Sequence, residues 1–183
     1  MTQQASNWNI SNVISIIRLI LIAPAGYLLW TGHNYIAAGI AAFCYISDLT
    51  DGYLARKYNL ITELGKIIDP LADKLFVGII SVLLAMQQRI PWWFLIFILA
   101  RDLVIFAGGM YIKAKKGVVL PSNYPGKVAV SAIAAAMMAG TLDAFVVRDV
   151  FIYMACAMML ISLLVYAQRF VITLRSPESA PQV

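Results

Sequence analysis

Charge is scarce in this chain: of 183 residues only 13% are Asp, Glu, Lys or Arg, while 62% are hydrophobic. Soluble domains are about half apolar and about a quarter charged. A water-filled surround would leave much of this sequence uncovered, and the mean hydropathy of +0.82 points to an all-α integral membrane protein. Cysteine is nearly absent. Cys44 and Cys156 stand far apart in apolar stretches, which excludes a disulfide framework or a thiolate metal site and leaves two small buried hydrophobes. The one histidine, His33, sits in a turn and reads as a solvated residue. Aromatic residues interleaved with basic ones, as a single-stranded nucleic-acid groove needs, are missing too, so no nucleic-acid partner is expected. The net charge of +5 is then read as attraction to the anionic cytoplasmic leaflet. The first residues lack a basic n-region and Arg18 interrupts the first apolar run, so this segment is expected to be retained.

What is present is a series of six apolar helical stretches. They are expected at residues 10–30, 35–58, 62–88, from 91–93 to 113–117, 126–141 and 150–169. They form one six-helix membrane domain over 1–175, with a short interfacial N-terminal segment at 1–11 and a disordered tail at 176–183. Turns at 31–34, 87–90 and 143–149 fall on the outer side. That topology leaves twelve of the fourteen Lys and Arg residues on the cytoplasmic half, with only Arg89 and Arg148 outside.

Against this apolar background the stretch 48–73 stands out. Asp48, Asp51, Asp69 and Asp73 are carboxylates set inside helical sequence, where each needs a cation or a partner. Asp51 and Asp69 each lie nine residues from Leu60, and Asp48 and Asp73 lie twelve and thirteen away. At about 1.5 Å per residue the two pairs reach matching depths on neighbouring antiparallel helices. Spacings of three within the first pair and four within the second share a helix face. All four acids are expected to converge on a polar cavity that opens to the cytoplasm. Gly52, Ala55 and Gly65 leave the helix surfaces beside them nearly bare, and Arg56 offers a planar fork for phosphate oxygens. Four carboxylates without His or Cys suit Mg²⁺ or Mn²⁺.

The pattern D-x2-D-G-x2-A-R-x8-G-x3-D-x3-D, complete here from Asp48 to Asp73, resembles the signature of the CDP-alcohol phosphotransferases. The resemblance implies a six-span integral enzyme of the inner (cytoplasmic) membrane, usually a homodimer. It implies transfer of a phosphatidyl group from CDP-diacylglycerol to an alcohol, with release of CMP. Carried over by position, it implies that Asp48, Asp51, Asp69 and Asp73 hold two divalent ions, with Asp73 also the general base. It implies further that Asp48, Asp51, Gly52, Ala55, Arg56 and Gly65 contact the CDP moiety. Asn12, Ser15 and Arg18 resemble the Asn-x2-Thr-x2-Arg that opens bacterial members; a snorkelling Arg18 is the plain alternative.

Two basic residues lie apart from that motif. Arg101 sits beside Asp102 about halfway along the fourth span, and Lys127 lies at the start of the fifth, level with the cavity mouth. Both are candidates for holding a phosphate on the acceptor, and an interhelical ion pair is the structural reading of Arg101. Phosphatidylglycerophosphate synthases usually carry Glu after the equivalent of Arg101 and a second Arg further along. Asp102 and Gly109 stand in those places, a departure that looks more like the CMP-forming cardiolipin synthases. The acceptor is thus phosphatidylglycerol or glycerol 3-phosphate. Rival readings are an intramembrane prenyltransferase and a cation or proton-coupled transporter. The first leaves the Gly-x2-Ala-Arg segment unexplained, and the second predicts charges spread across the membrane rather than gathered on one side.

Overall fold

In the computed structural model the backbone is described for residues 10–57, 65–118, 121 and 123–175, and side chains for 14, 16–47, 74–118, 121 and 123–175. All regular structure among them is helical: α1 (Ile10–Trp30), α2 (Asn34–Lys57), α3 (Gly65–Met86), α4 (Trp92–Lys116), α5 (Tyr124–Thr141) and α6 (Phe145–Arg175). The expected interfacial segment falls mostly, and the C-terminal tail wholly, outside the described residues. So does the turn that joins α2 to α3.

The chain forms two compact units, 1–90 with 140–144 and 91–139 with 145–183. In the first, α1 packs against both α2 and α3. Ile22, Ala25 and Leu29 make a buried stripe along α1 at spacings of three and four, and Phe76, Ile80 and Leu84 make one along α3. Gly26 lets α3 come close: a Cβ there would stand 3.1 Å from Leu83 Cδ1.

The three turns expected on the outer side meet at one end of this unit. The Asn34 amide donates to Asp143 Oδ2 at 2.9 Å, and Arg89 Nη2 lies 3.5 Å from that same oxygen. Arg89 Nη1 donates to the Thr141 carbonyl at 3.0 Å, and Gln87 Nε2 to the Leu29 carbonyl at 3.0 Å. Carbonyls left open at helix ends are thereby satisfied by side chains from neighbouring turns. Gln88 and Asp143 turn the chain with φ of 58° and 57°. His33 is exposed beside Thr31 Oγ1, 3.0 Å from its Nδ1, as expected of a turn histidine.

In the second unit α4 packs on α6. Ile152, Ala155, Met159, Ser162 and Tyr166 form the buried stripe of α6. Tyr166 donates to the Ile105 carbonyl at 2.9 Å and covers Gly108, whose Cβ position is 3.1 Å from the tyrosine ring. α4 ends at Gly117, whose φ of 66° and N–H bond to the Lys113 carbonyl close the last turn. Lys113, Lys115 and Lys116 occupy that turn, where cations favour the helix dipole.

α4, with 25 residues, and α6, with 31, are long and apolar enough to cross a membrane. Only 17% and 28% of their most apolar stretches are buried, so these are not the covered core helices of a water-soluble protein. Apolar runs in α1, α2 and α3 are shorter among the described residues, at 16–30, 34–47 and 74–86.

The bounds of α5 and α6 differ from expectation. α6 begins five residues before residue 150 and continues six beyond residue 169. The expected outer turn 143–149 is therefore helical from Phe145. Its charges are neutralised within the helix: Arg148 Nη2 and Asp149 Oδ1 are 2.7 Å apart, and the guanidinium lies 4.9 Å from the Phe145 ring centre. α5 begins at Tyr124 rather than 126 because Asn123 caps it, its Oδ1 accepting from the Gly126 N–H at 2.8 Å.

Asp143→Ala removes the acceptor shared by Asn34 and Arg89 and puts a β-carbon without a polar group at positive φ. It is expected to cost about 1–3 kcal/mol of stability, read as a lower thermal midpoint of the detergent-purified protein. Asp143→Asn, which tolerates that backbone, should lose less.

Candidate functional site

The acid positions fall on helical backbone as the spacing requires. Asp48, Asp51, Gly52, Ala55 and Arg56 lie on the last turns of α2, and Gly65, Asp69 and Asp73 on the first turns of α3. Helical backbone continues through Pro70. Separations of three and four residues put each acid pair on one helix face. The side chains of 48–73 fall outside the described residues, and with them the expected convergence of the acids. Among the described residues no group of three or more His, Cys, Asp or Glu could hold a metal ion.

Arg18 on α1 is buried, with 4% of its surface exposed. It does not snorkel to water. It lines a cavity of about 80 Å³ together with Ile14, Ile17, Leu21, Phe43, Cys44 and Ser47. Ser47 directly precedes Asp48, so α1 turns its arginine toward the part of α2 where the acid motif begins.

The second unit contains a hydrogen-bonded cluster that the sequence showed only at one member. Arg101 is paired with its own neighbour on α4, Nη1 to Asp102 Oδ1 at 2.8 Å, rather than with a charge on another helix. Its Nη2 donates to Ser162 Oγ on α6 at 3.0 Å. The Ser162 hydroxyl in turn donates to Asn123 Oδ1 at 2.8 Å, and Asn123 Nδ2 donates to the Ser162 carbonyl at 2.9 Å. Ser162 is fully buried and Asn123 nearly so. The Arg101 side chain is 11% exposed, yet its buried Nε has no hydrogen-bond partner among the described residues. A buried donor without a partner is costly.

Gly126 completes the cluster. A Cβ there would come 2.7 Å from Asn123 Oδ1 and 3.0 Å from both Arg101 Nη2 and Ser162 Oγ, so only glycine lets the first turn of α5 press against the guanidinium. Lys127 is the next residue and is exposed. The structure thus brings Arg101 to the start of α5, where Lys127 stands.

Asn123, Gly126 and Ser162 were not singled out in the sequence. Asn before Tyr-Pro-Gly is a capping signal, and Ser162 is a lone hydroxyl within an apolar run. Neither signal names its partner.

Fold and site define an all-helical protein with long apolar spans, an acid-bearing helix pair and a buried arginine presented at a helix start. A family model described as CDP-alcohol phosphatidyltransferase matches residues 8–167. The chain belongs to that family, which is one of transferases. It is 34% identical over 122 residues to a Mycobacterium tuberculosis protein provisionally named cardiolipin synthase, covering 66% of this chain and 58% of that one. It is 38% identical over 101 residues to the CDP-diacylglycerol–glycerol-3-phosphate 3-phosphatidyltransferase of Rickettsia typhi, covering 53% and 56%. It is 36% identical over 107 residues to the human CMP-forming cardiolipin synthase, covering 58% and 36%. The matched region therefore spans less than two thirds of these curated relatives.

Gly126→Ala forces a methyl group into the cap, where Asn123 is held by three hydrogen bonds and cannot swing aside. A loss of about 1–3 kcal/mol is expected for such overpacking, measured as a lower thermal midpoint.

Proposed function

We propose that this chain is a six-span CDP-alcohol phosphatidyltransferase of phospholipid biosynthesis, acting as a homodimer in the inner (cytoplasmic) membrane with its site facing the cytoplasm. The observation that carries the reading is the complete eight-residue acid motif on α2 and α3, within a family match that covers most of the chain. It transfers the phosphatidyl group of CDP-diacylglycerol to an alcohol and releases CMP.

Asp48, Asp51, Asp69 and Asp73 would hold two divalent cations, Mg²⁺ or Mn²⁺. The donor set fits: it is all oxygen, with no imidazole or thiolate in the motif. Such cations, when bound, supply neutralisation for the diphosphate and the departing CMP. The chain's own residues do the rest. Gly52, Ala55 and Gly65 leave room for the CDP moiety, and Arg56 meets its phosphate oxygens. Asp73 takes the proton of the acceptor hydroxyl as that oxygen bonds to the phosphorus nearest the diacylglycerol. The bond from that phosphorus to the CMP oxygen breaks, and CMP leaves with the electron pair. Arg101 and Lys127 hold the acceptor by its phosphate.

Two acceptors fit, phosphatidylglycerol and glycerol 3-phosphate, and relatives are named for both. Gly109 favours phosphatidylglycerol: a Cβ there would stand 3.3 Å from the Tyr166 hydroxyl, so the space taken by a second arginine in phosphatidylglycerophosphate synthases belongs here to a tyrosine. The transporter alternative predicts charges spread across the membrane, whereas the sequence gathers them toward one side.

The purified protein with Mg²⁺ and CDP-diacylglycerol is expected to release CMP when given phosphatidylglycerol or glycerol 3-phosphate, each offered separately. Asp73→Asn should lower that rate by about 10²–10⁴-fold. Chelation by EDTA should abolish it, and excess Mg²⁺ should restore it. A folded protein that releases no CMP with either acceptor contradicts the reading.

A further inference from the structure

Ser162 is the only polar residue in the buried stripe of α6 apart from Tyr166, and its hydroxyl does not bond back to its own helix. A serine in an apolar helix usually donates to the carbonyl four residues earlier. Here the hydroxyl hydrogen goes to Asn123 Oδ1 at 2.8 Å, which leaves the oxygen's lone pairs facing α4. One of them accepts from Arg101 Nη2 at 3.0 Å.

The direction of that bond is dictated from the far side. Asn123 Oδ1 must accept, because it already takes the Gly126 N–H at 2.8 Å. Asn123 Nδ2 must donate, because it faces the Ser162 carbonyl at 2.9 Å. With the amide orientation so determined, Ser162 can only donate to it, and can only accept from the arginine. The same asparagine that starts α5 therefore sets the hydroxyl that holds the guanidinium. Asp102 pins the other terminal nitrogen at 2.8 Å. Of the five N–H groups of an arginine, two are bound to protein and Nε is buried without a partner.

We propose that Ser162 and Asn123 are positioning residues for the acceptor: they lock the Arg101 guanidinium so that its remaining donors meet the acceptor's phosphate in one orientation. The proposal rests on the reading of Arg101 as an acceptor-phosphate ligand. A guanidinium so fixed gives up its rotational freedom on folding rather than on binding, and preorganisation of this kind strengthens binding. It selects the acceptor that carries a phosphate and leaves recognition of the CDP moiety to α2 and α3.

The experiment is steady-state kinetics on the full-length protein in detergent, varying phosphatidylglycerol, glycerol 3-phosphate and CDP-diacylglycerol in turn. Ser162→Ala should raise KM for the working acceptor by about tenfold while KM for CDP-diacylglycerol changes by less than about twofold. Arg101→Ala should raise the acceptor KM at least as much, and adding Ser162→Ala to it should change nothing further, because the two act as one unit. Asn123→Ser keeps a capping oxygen for α5 but loses the amide that orients Ser162; it should raise the acceptor KM alone, by about threefold or more. It serves as the test where Ser162→Ala does not fold. If Arg101→Ala raises the acceptor KM and neither Ser162→Ala nor Asn123→Ser does, the positioning role is wrong while the reading of Arg101 stands. Equal losses for both substrates, or additive effects in the double variant, overturn it as well, since a merely structural role gives those. If Arg101→Ala spares the acceptor KM while CMP is still released, the reading of Arg101 fails and the proposal falls with it.

Discussion

A charge placed among apolar helices is expensive unless another group meets it, and this cost organises both units of the chain. Arg101 is held by Asp102 and Ser162, Arg148 by Asp149, and Arg89 by Asp143 and the Thr141 carbonyl. The arrangements differ in completeness. Arg148 is matched by Asp149 within its own helix. Arg89 ties its turn to that at 141–143, where Asp143 also holds Asn34, and so serves the fold. Arg101 joins α4 to α6 through Ser162 and keeps a buried Nε without a hydrogen-bond partner among the described residues.

The same reasoning separates the two halves of the chemistry. The first unit brings the acid motif onto α2 and α3 and holds those helices through α1, whose Arg18 is buried beside Ser47. The second unit presents Arg101 at the start of α5. On the proposed reading, the first carries the residues for the diphosphate with its cations and the second those for the acceptor's phosphate.

Much of this was legible in the residues. α1 runs from Ile10 to Trp30 as its apolar run required, α4 stops at Gly117 after three lysines, and the turns at 31–34 and 87–90 meet residue 143, as an up-and-down topology demands. The acid motif could be found because its information is local: fixed spacings within two helices. The Arg101 cluster could not, because Ser162 lies sixty-one residues from Arg101 and no spacing rule links a buried serine on one helix to an asparagine cap on another. The early start of α5 differs in kind: its signal, the Asn123 cap, is local, but Asn-Tyr-Pro-Gly reads equally well as a turn. The true start of α6 was hidden by Arg148 and Asp149, which resemble a solvated turn but neutralise each other on the helix. The convergence of the four acids lies outside the described residues and rests on their spacing.

The account stands on transfer of a phosphatidyl group, and the fate of one phosphorus atom tests it most directly. CDP-diacylglycerol labelled at the phosphorus next to the diacylglycerol would be given to the protein with Mg²⁺ and phosphatidylglycerol or glycerol 3-phosphate, and the label followed into lipid and water-soluble products. The account predicts label in a new phospholipid that contains the acceptor, with unlabelled CMP released in equal amount. Label that stays in CDP-diacylglycerol, while vesicles holding the protein pass divalent cations or protons across their membrane, would contradict it and make the acid cluster an ion path instead.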